Sequence, residues 1–440
     1  MFLEKEGKLI YSYDGETVCI EAWGKDALRV RATKNRSFTG RDWALEAKDA
    51  HAGEVEIFED PSAKGGAFAN MYEGTDTSYG KITNGKLHAV IDSGSVITFY
   101  HEDGRVLLKE HFRRLRDEES MPLNIMGREY SNGVGDNFRI VARFVARKGE
   151  KIFGMGQYQQ HELDLKGCML ELAQRNSQVS VPFYLSNIGY GFLWNNPGVG
   201  QVMFANNGTE WVTESGKEID YLVIAGDTPA EIEENYMTLT GKPPMMPEYG
   251  MGFWQCKLRY WNQEQLLSVA RKYKELGVPL DVIVVDFFHW TKQGEFKFDP
   301  KYWPDVPGMC RELKEMGIQV VVSVWPTVDI YSENFEEMKE KGYLVRTEHG
   351  VPLTMLCGGN EVFFDATNPD ARTYVWEKIK KNYYDQGAKL FWLDVAEPEY
   401  SVYDFKNYRY QLGSVQEVGN IYPKYYLKAF YDGTVSYTHL

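Results

Sequence analysis

Cationic charge is what this sequence is short of: 49 Lys and Arg stand against 63 Asp and Glu, a net charge of −14. With no basic surplus to displace counterions, a nucleic-acid partner is excluded. Long hydrophobic runs are missing too. No stretch reaches the ~18 consecutive apolar residues of a membrane span. The start, Met1-Phe2-Leu3-Glu4-Lys5-Glu6, lacks the apolar centre of a secretory leader. Cysteine is scarce: five residues, at 19, 168, 256, 310 and 357, odd in number and without a CxxC pair. That excludes a disulfide frame and a zinc knuckle. Eight scattered His form no metal-type cluster. These absences predict a soluble, reduced, cytoplasmic protein with no nucleic-acid or membrane partner, no metal and no cofactor.

Aromatic residues, in contrast, are abundant: 11 Trp, 29 Tyr and 23 Phe, 14% of 440 residues. Such rings either pack a large core or offer stacking platforms for a sugar or base, and composition alone does not separate the two. The length suggests two or three domains, and the chain changes its grammar once. Residues 1–240 read as short strands, among them Val18–Ala22, Ala27–Ala32, Val55–Phe58, Leu87–Ile91, Val96–Tyr100 and Val179–Leu185. Asp14-Gly15, Asn84-Gly85, Asp103-Gly104 and Asn207-Gly208 supply turns between such strands. The pattern predicts an antiparallel β-sandwich. A Thr228-capped helix follows, and then Gly241–Pro247, with three prolines in seven residues, marks the domain boundary.

From residue 241 to 433 strands alternate with helices. The strands are Gly250–Gln255, Asp281–Phe287, Ile318–Trp325 and Ala388–Asp394. The helices are Asn262–Leu276, a stripe from Val306 to Met316, and one opened by Asn368-Pro369 and stopped by Gly387. This predicts a parallel sheet, either a doubly wound sheet or the first half of a (β/α)8 TIM barrel. The missing Gly-rich turn after the first strand disfavours a dinucleotide fold. Four units do not close a barrel, so either the sheet is open or the natural chain is longer.

In parallel α/β sheets the chemistry gathers at the C-terminal strand ends. Those ends read Trp254-Gln255-Cys256-Lys257, Asp286-Phe287-Phe288-His289-Trp290, Trp325-Pro326-Thr327-Val328-Asp329, and Trp392-Leu393-Asp394-Val395-Ala396-Glu397-Pro398-Glu399. Each offers a Trp and three offer a carboxylate. Carboxylates between aromatic walls suit a sugar, which has polar edges, an apolar face and a cationic transition state during glycoside hydrolysis. Any one strand-end Asp can instead be a turn or cap residue. Asp394 and Asp286 stand out because each closes a run of four apolar residues, where an idle charge is costly. Asp299 reads as a turn former, Glu397 and Glu399 as caps or substrate contacts, and His289 as a packed histidine or a ligand.

The segment Lys389–Glu399 resembles the signature of glycoside hydrolase family 31, Trp-x-Asp-x-x-Glu at barrel strand four. Val285-Asp286, Phe298-Asp299-Pro300-x-x-Trp303-Pro304-Asp305, Val324-Trp325-Pro326, Phe153–Gln157 and Gly191–Pro197 match the family as well. The resemblance implies a retaining, exo-acting α-glycosidase, chiefly an α-xylosidase or α-glucosidase, that works without cofactor or metal on an oligosaccharide or α-glycoside. It implies a galactose-mutarotase-like sandwich before the barrel. Asp394 then becomes the nucleophile that forms a covalent glycosyl-enzyme, and Asp286 the carboxylate that grips sugar hydroxyls in subsite −1. Phe288, Trp290, Trp325 and Trp392 become pocket walls, and Glu397 a substrate contact. The family's acid/base is an Asp beyond strand four, so none is assigned here. The 434–440 tail departs from the family and reads as translated adapter sequence, and the 440-residue chain by itself is expected to be inactive.

Many family α-glucosidases follow the strand-two Asp with a small aliphatic residue, a second Asp and Tyr. Here Phe287, Phe288 and His289 follow Asp286, which favours xylose by filling the space of a hexose C6 hydroxymethyl. Against this, one kind of family α-xylosidase carries Lys two residues before the nucleophile, where this chain has Trp392. The order of expectation is α-xylosidase, then α-glucosidase. A non-catalytic carbohydrate-binding protein or inert fragment is the alternative of another class, and has no need for Asp394 behind four apolar residues. The sequence leaves room for a homo-oligomer.

Overall fold

The computed structural model describes the chain except residues 47–48, 59–77, 112, 116–122, 357, 401–402 and 439–440. It divides into two compact units, Met1–Pro243 and Pro244–Leu440. The division falls inside the proline-rich Gly241–Pro247, where the missing N–H donors keep the chain out of helix and ladder.

In the first unit, tight turns set antiparallel pairing. Asp14 and Gly15 take φ of 49° and 74° between strands Lys8–Tyr13 and Glu16–Trp23, the twist that a two-residue hairpin requires. Among the described residues a nine-stranded sheet and two five-stranded sheets result. Tyr11 and Ile20 of the first, Ile82 and Leu87 of the second, and Ile140 and Val202 of the third share one buried cluster. Antiparallel sheets around a common core make the expected sandwich. Here burial claims much of the aromatic surplus: Trp211 stacks on Trp194 at 5.5 Å and on Phe192 at 5.1 Å, all three fully buried. Thr228 Oγ1 accepts the Glu231 N–H at 3.2 Å to cap helix Pro229–Thr240.

The second unit runs β1 (Trp254–Gln255), α1 (Gln263–Glu275), β2 (Val282–Val285), α2 (Val306–Glu315), β3 (Gln319–Val324), α3 (Pro369–Asn382), β4 (Leu390–Leu393) and α4 (Tyr422–Thr438). The four strands pair in parallel in that order. Asn262, Asp305 and Asn368 cap the first three helices through their side chains. On the alternating face, Val282, Val284 and Val321 cluster with Leu390 and Tyr249. The same parity carries on to Asp286, Trp325 and Asp394 just past the strand ends. Gly433 lets α4 press on α3, since a Cβ there would stand 2.2 Å from the Trp376 ring.

Two elements differ from expectation. Gly250–Gln255 is not one strand: Glu248–Met251 forms a 3₁₀ turn and only Trp254–Gln255 pairs. The Phe253 N–H goes instead to Asp281 Oδ2 at 2.9 Å, so a side chain competes with the ladder. Between β3 and α3 lies an unforeseen excursion with strands Thr327–Asp329 and Glu361–Phe363 paired antiparallel and helix Phe335–Glu340. Three-residue strands are too short to show a period. At the C-terminal side α4 continues through residues 434–438 of the stretch read as a tail.

Candidate active site

Asp286 and Asp394 each sit one residue beyond a buried or half-buried apolar strand and share a local design. Asp286 Oδ1 accepts the Phe287 N–H at 2.8 Å, and Asp394 Oδ1 accepts the Val395 N–H at 2.9 Å. The backbone then turns through positive φ, 59° at Phe288 and 57° at Val395. For an aromatic and a β-branched residue that conformation costs about 1–3 kcal/mol each and persists only where the surroundings impose it. It concentrates strain next to the two carboxylates.

Asp394 is fixed from three directions. Trp325 Nε1 donates to its Oδ2 at 3.1 Å. Its own N–H donates to Val324 O at 3.1 Å. That same carbonyl accepts the hydroxyl of fully buried Tyr426, on α4, at 2.8 Å. Glu397, three residues on, is half-buried, and its Oε2 has no hydrogen-bond partner among the described residues. Burial, and then the charges of Asp394 and Glu399, hold the Glu397 carboxyl above the usual range.

Rings of β2 and β3 build a wall beside this carboxylate. Phe287 stacks on Trp325 at 5.4 Å, Trp290 meets it edge-on at 5.8 Å, and Phe288 lies 6.2 Å away, tilted. Trp392, two residues before Asp394 on β4 and of the same parity, is 46% exposed and lines a cavity of about 480 Å³ with Tyr249, Trp254, Val321 and Leu390. Asp286, Phe288, Trp290, Trp325, Asp394 and Glu397 lie just past the strand ends. Among the described residues no three His, Cys, Asp or Glu side chains gather as a metal site.

Two residues that sequence reasoning passed over serve this site. One is Tyr426; no period marks a hydroxyl aimed at a carbonyl about a hundred residues upstream. Another is Cys256, whose Sγ–H donates to Asp286 Oδ2 at 3.4 Å. Burial and Asp286 push that thiol up to about 11. Its place at the first strand end was the available signal.

His289, left open between core residue and ligand, is 2% exposed. Its Nδ1 lies 3.0 Å from Asp286 O and its Nε2 lies 2.9 Å from Tyr383 Oη. A carbonyl only accepts, so Nδ1 carries the proton and Nε2 accepts from the tyrosine. Burial pushes this imidazole down to about 4. Its unfolded value is near 6.5, so the contribution is complete above pH 6.5 and is lost as pH falls through 4, about 3 kcal/mol in all. His289→Gln flattens that part of the stability profile. Urea midpoints at pH 7 and pH 4.5 test this, and an unchanged difference between the two pH values contradicts it.

A parallel βα sheet with carboxylates at its C-terminal strand ends defines the class: a protein of the βα-barrel type. Residues 243–439 match the model of the glycosyl hydrolases family 31 TIM-barrel domain. The uncharacterized family 31 glucosidase ORF2 of Pseudescherichia vulneris is 45% identical, over 98% of this chain and 80% of its own length. Alpha-xylosidase A of Aspergillus niger is 30% identical, over 95% of this chain and 59% of its own. The crystal structure of a GH31 alpha-xylosidase from a soil metagenome, complexed with xylose, superposes with a TM-score of 0.92 at 49% identity, covering 100% of this chain and 64% of that one. The chain belongs to glycosyl hydrolase family 31. It spans less than two thirds of the length of the last two of these relatives.

Proposed function

We propose that the protein is a retaining, exo-acting α-glycoside hydrolase with Asp394 as nucleophile and xylose as its preferred sugar. Asp394 Oδ1 or Oδ2 attacks the anomeric carbon while the bond to the leaving oxygen breaks. The leaving oxygen takes a proton from an acid that is assigned to no residue of this chain. Water then attacks the anomeric carbon of the covalent glycosyl-enzyme and passes its proton back to that same unassigned group, now a base, while the bond to Asp394 breaks and its carboxylate is released. Asp286, two strands away in the sheet, holds sugar hydroxyls, and Trp325 both walls the pocket and steadies Asp394.

The observation that carries the sugar preference is Phe288. Its ring is boxed by Trp290 at 6.1 Å and Trp325 at 6.2 Å, and a Cβ on Gly358 would stand 3.3 Å from its tip. These neighbours narrow the room the ring has to move aside for a hydroxymethyl group. Two relatives named alpha-xylosidase support the reading. The relative named a glucosidase favours α-glucosidase as the second one. The test compares kcat/KM for p-nitrophenyl α-xyloside and α-glucoside on the full-length protein. Xyloside is expected to lead. Phe288→Gly empties the space without a positive-φ penalty and is expected to move the ratio toward glucoside by about 10–200-fold. A wild-type preference for glucoside overturns the order.

A further inference from the structure

Beside the aromatic wall lies a guanidinium with no assigned task. Arg259 Cζ lies 3.9 Å from the Trp261 ring centroid and 5.3 Å from that of Phe288. The residue is half-buried, and among the described residues no hydrogen bond or ion pair holds it. Stacking occupies the faces of a guanidinium and leaves its five N–H donors free around the edge. No Arg259 nitrogen is fully buried without a partner, so this edge is open to a ligand or to water. The platform is rigid: the Trp261 N–H donates to Gln265 Oε1 at 2.8 Å, and the next residue, Asn262, caps α1 through Gln265 N at 2.8 Å.

Exposure rises along this row. Trp325, hydrogen-bonded to Asp394, is 9% exposed, Phe288 and Arg259 are half-buried, and Trp261 is 59% exposed. An exo-acting pocket encloses the sugar it cleaves, and what meets its rim is the leaving group. We infer that Arg259 and Trp261 form a subsite for a pyranose leaving group, with the indole against the apolar face of the ring and the guanidinium edge donating to a vicinal pair of its hydroxyls. A pyranose fits better than a free carboxylate, because an anion needs no indole and a chain of net charge −14 repels it.

The inference rests on the proposed hydrolase function and is tested so that the two can fail separately. The full-length wild type, Arg259→Gln, Arg259→Lys and Trp261→Ala are assayed on α-xylosyl fluoride, whose leaving group is a single atom, and on the disaccharide xylosyl-α-1,6-glucose. The expected result is a fall in kcat/KM of about tenfold or more on the disaccharide for each variant, with the fluoride within about twofold of wild type. Arg259→Lys stays impaired because an ammonium lacks the planar fork. Equal losses on both substrates, or no loss on the disaccharide, overturn the subsite. If wild type cleaves neither substrate, the hydrolase reading falls. The subsite is then judged by binding of methyl β-glucoside: tryptophan quenching that Trp261→Ala abolishes sustains it, and absence of quenching ends it.

Discussion

Replacing Asp394 with Ala in the full-length protein is expected to lower turnover of p-nitrophenyl α-xyloside by at least about 10⁴-fold, or about 5.5 kcal/mol of transition-state stabilisation. The expectation follows from geometry. Asp394 is one step past an apolar strand, its backbone tied to Val324 O and one carboxylate oxygen steered by Trp325 Nε1. Those contacts survive only partly in the variant, but their loss alone costs a few kcal/mol at most. The larger loss is the nucleophile itself. A second readout separates the two. Azide, small enough to occupy the vacated carboxylate site, should restore cleavage and yield a β-xylosyl azide, because it attacks from the face that Asp394 used. In wild type, a fluorinated xylosyl fluoride should label Asp394. Label on another side chain, or residual turnover within a hundredfold of wild type, removes Asp394 from the mechanism.

Asp286→Ala is expected to reduce kcat/KM by about 10²–10³-fold, the loss of two charge-assisted hydrogen bonds to sugar hydroxyls. Its Oδ1 already accepts the Phe287 N–H and its Oδ2 the Cys256 thiol. The lone pairs left over on the two oxygens are therefore aimed rather than free to rotate, which favours hydroxyls in one orientation. In its proposed role Asp286 grips hydroxyls common to xylose and glucose, so the loss should be similar on both aryl glycosides and the ratio between them unchanged. That separates Asp286 from Phe288, whose replacement changes the ratio. A variant that loses one substrate much more than the other would show that Asp286 reads the C6 position.

The legible part of this protein is what local chemistry alone dictates. Val282–Val285 is a run of β-branched residues that can only be a buried strand, and Asp286 after it is a charge with a task. Asn262 and Asn368 announce helix starts through their capping oxygens. Asp14-Gly15 reads as a hairpin because few other residue pairs take positive φ twice. From these come the sandwich, the parallel sheet and the two strand-end carboxylates. What was not legible depends on partners far apart in the chain. Tyr426 meets Val324 only after α4 has packed onto α3. Cys256 meets Asp286 because β1 pairs with β2 in one register. Trp392 shares a cavity with Trp254 and Leu390 because the parallel register brings strands distant in the chain side by side.

Residue type and order by themselves determined the elements, their caps and the two carboxylates, since backbone sterics and desolvation act over a few residues. Only the tertiary structure decided which donor steers Asp394, which rings stand beside Phe288 and which cation stacks on Trp261. Those choices depend on strand register and on helix packing, which bring together atoms that no local pattern relates.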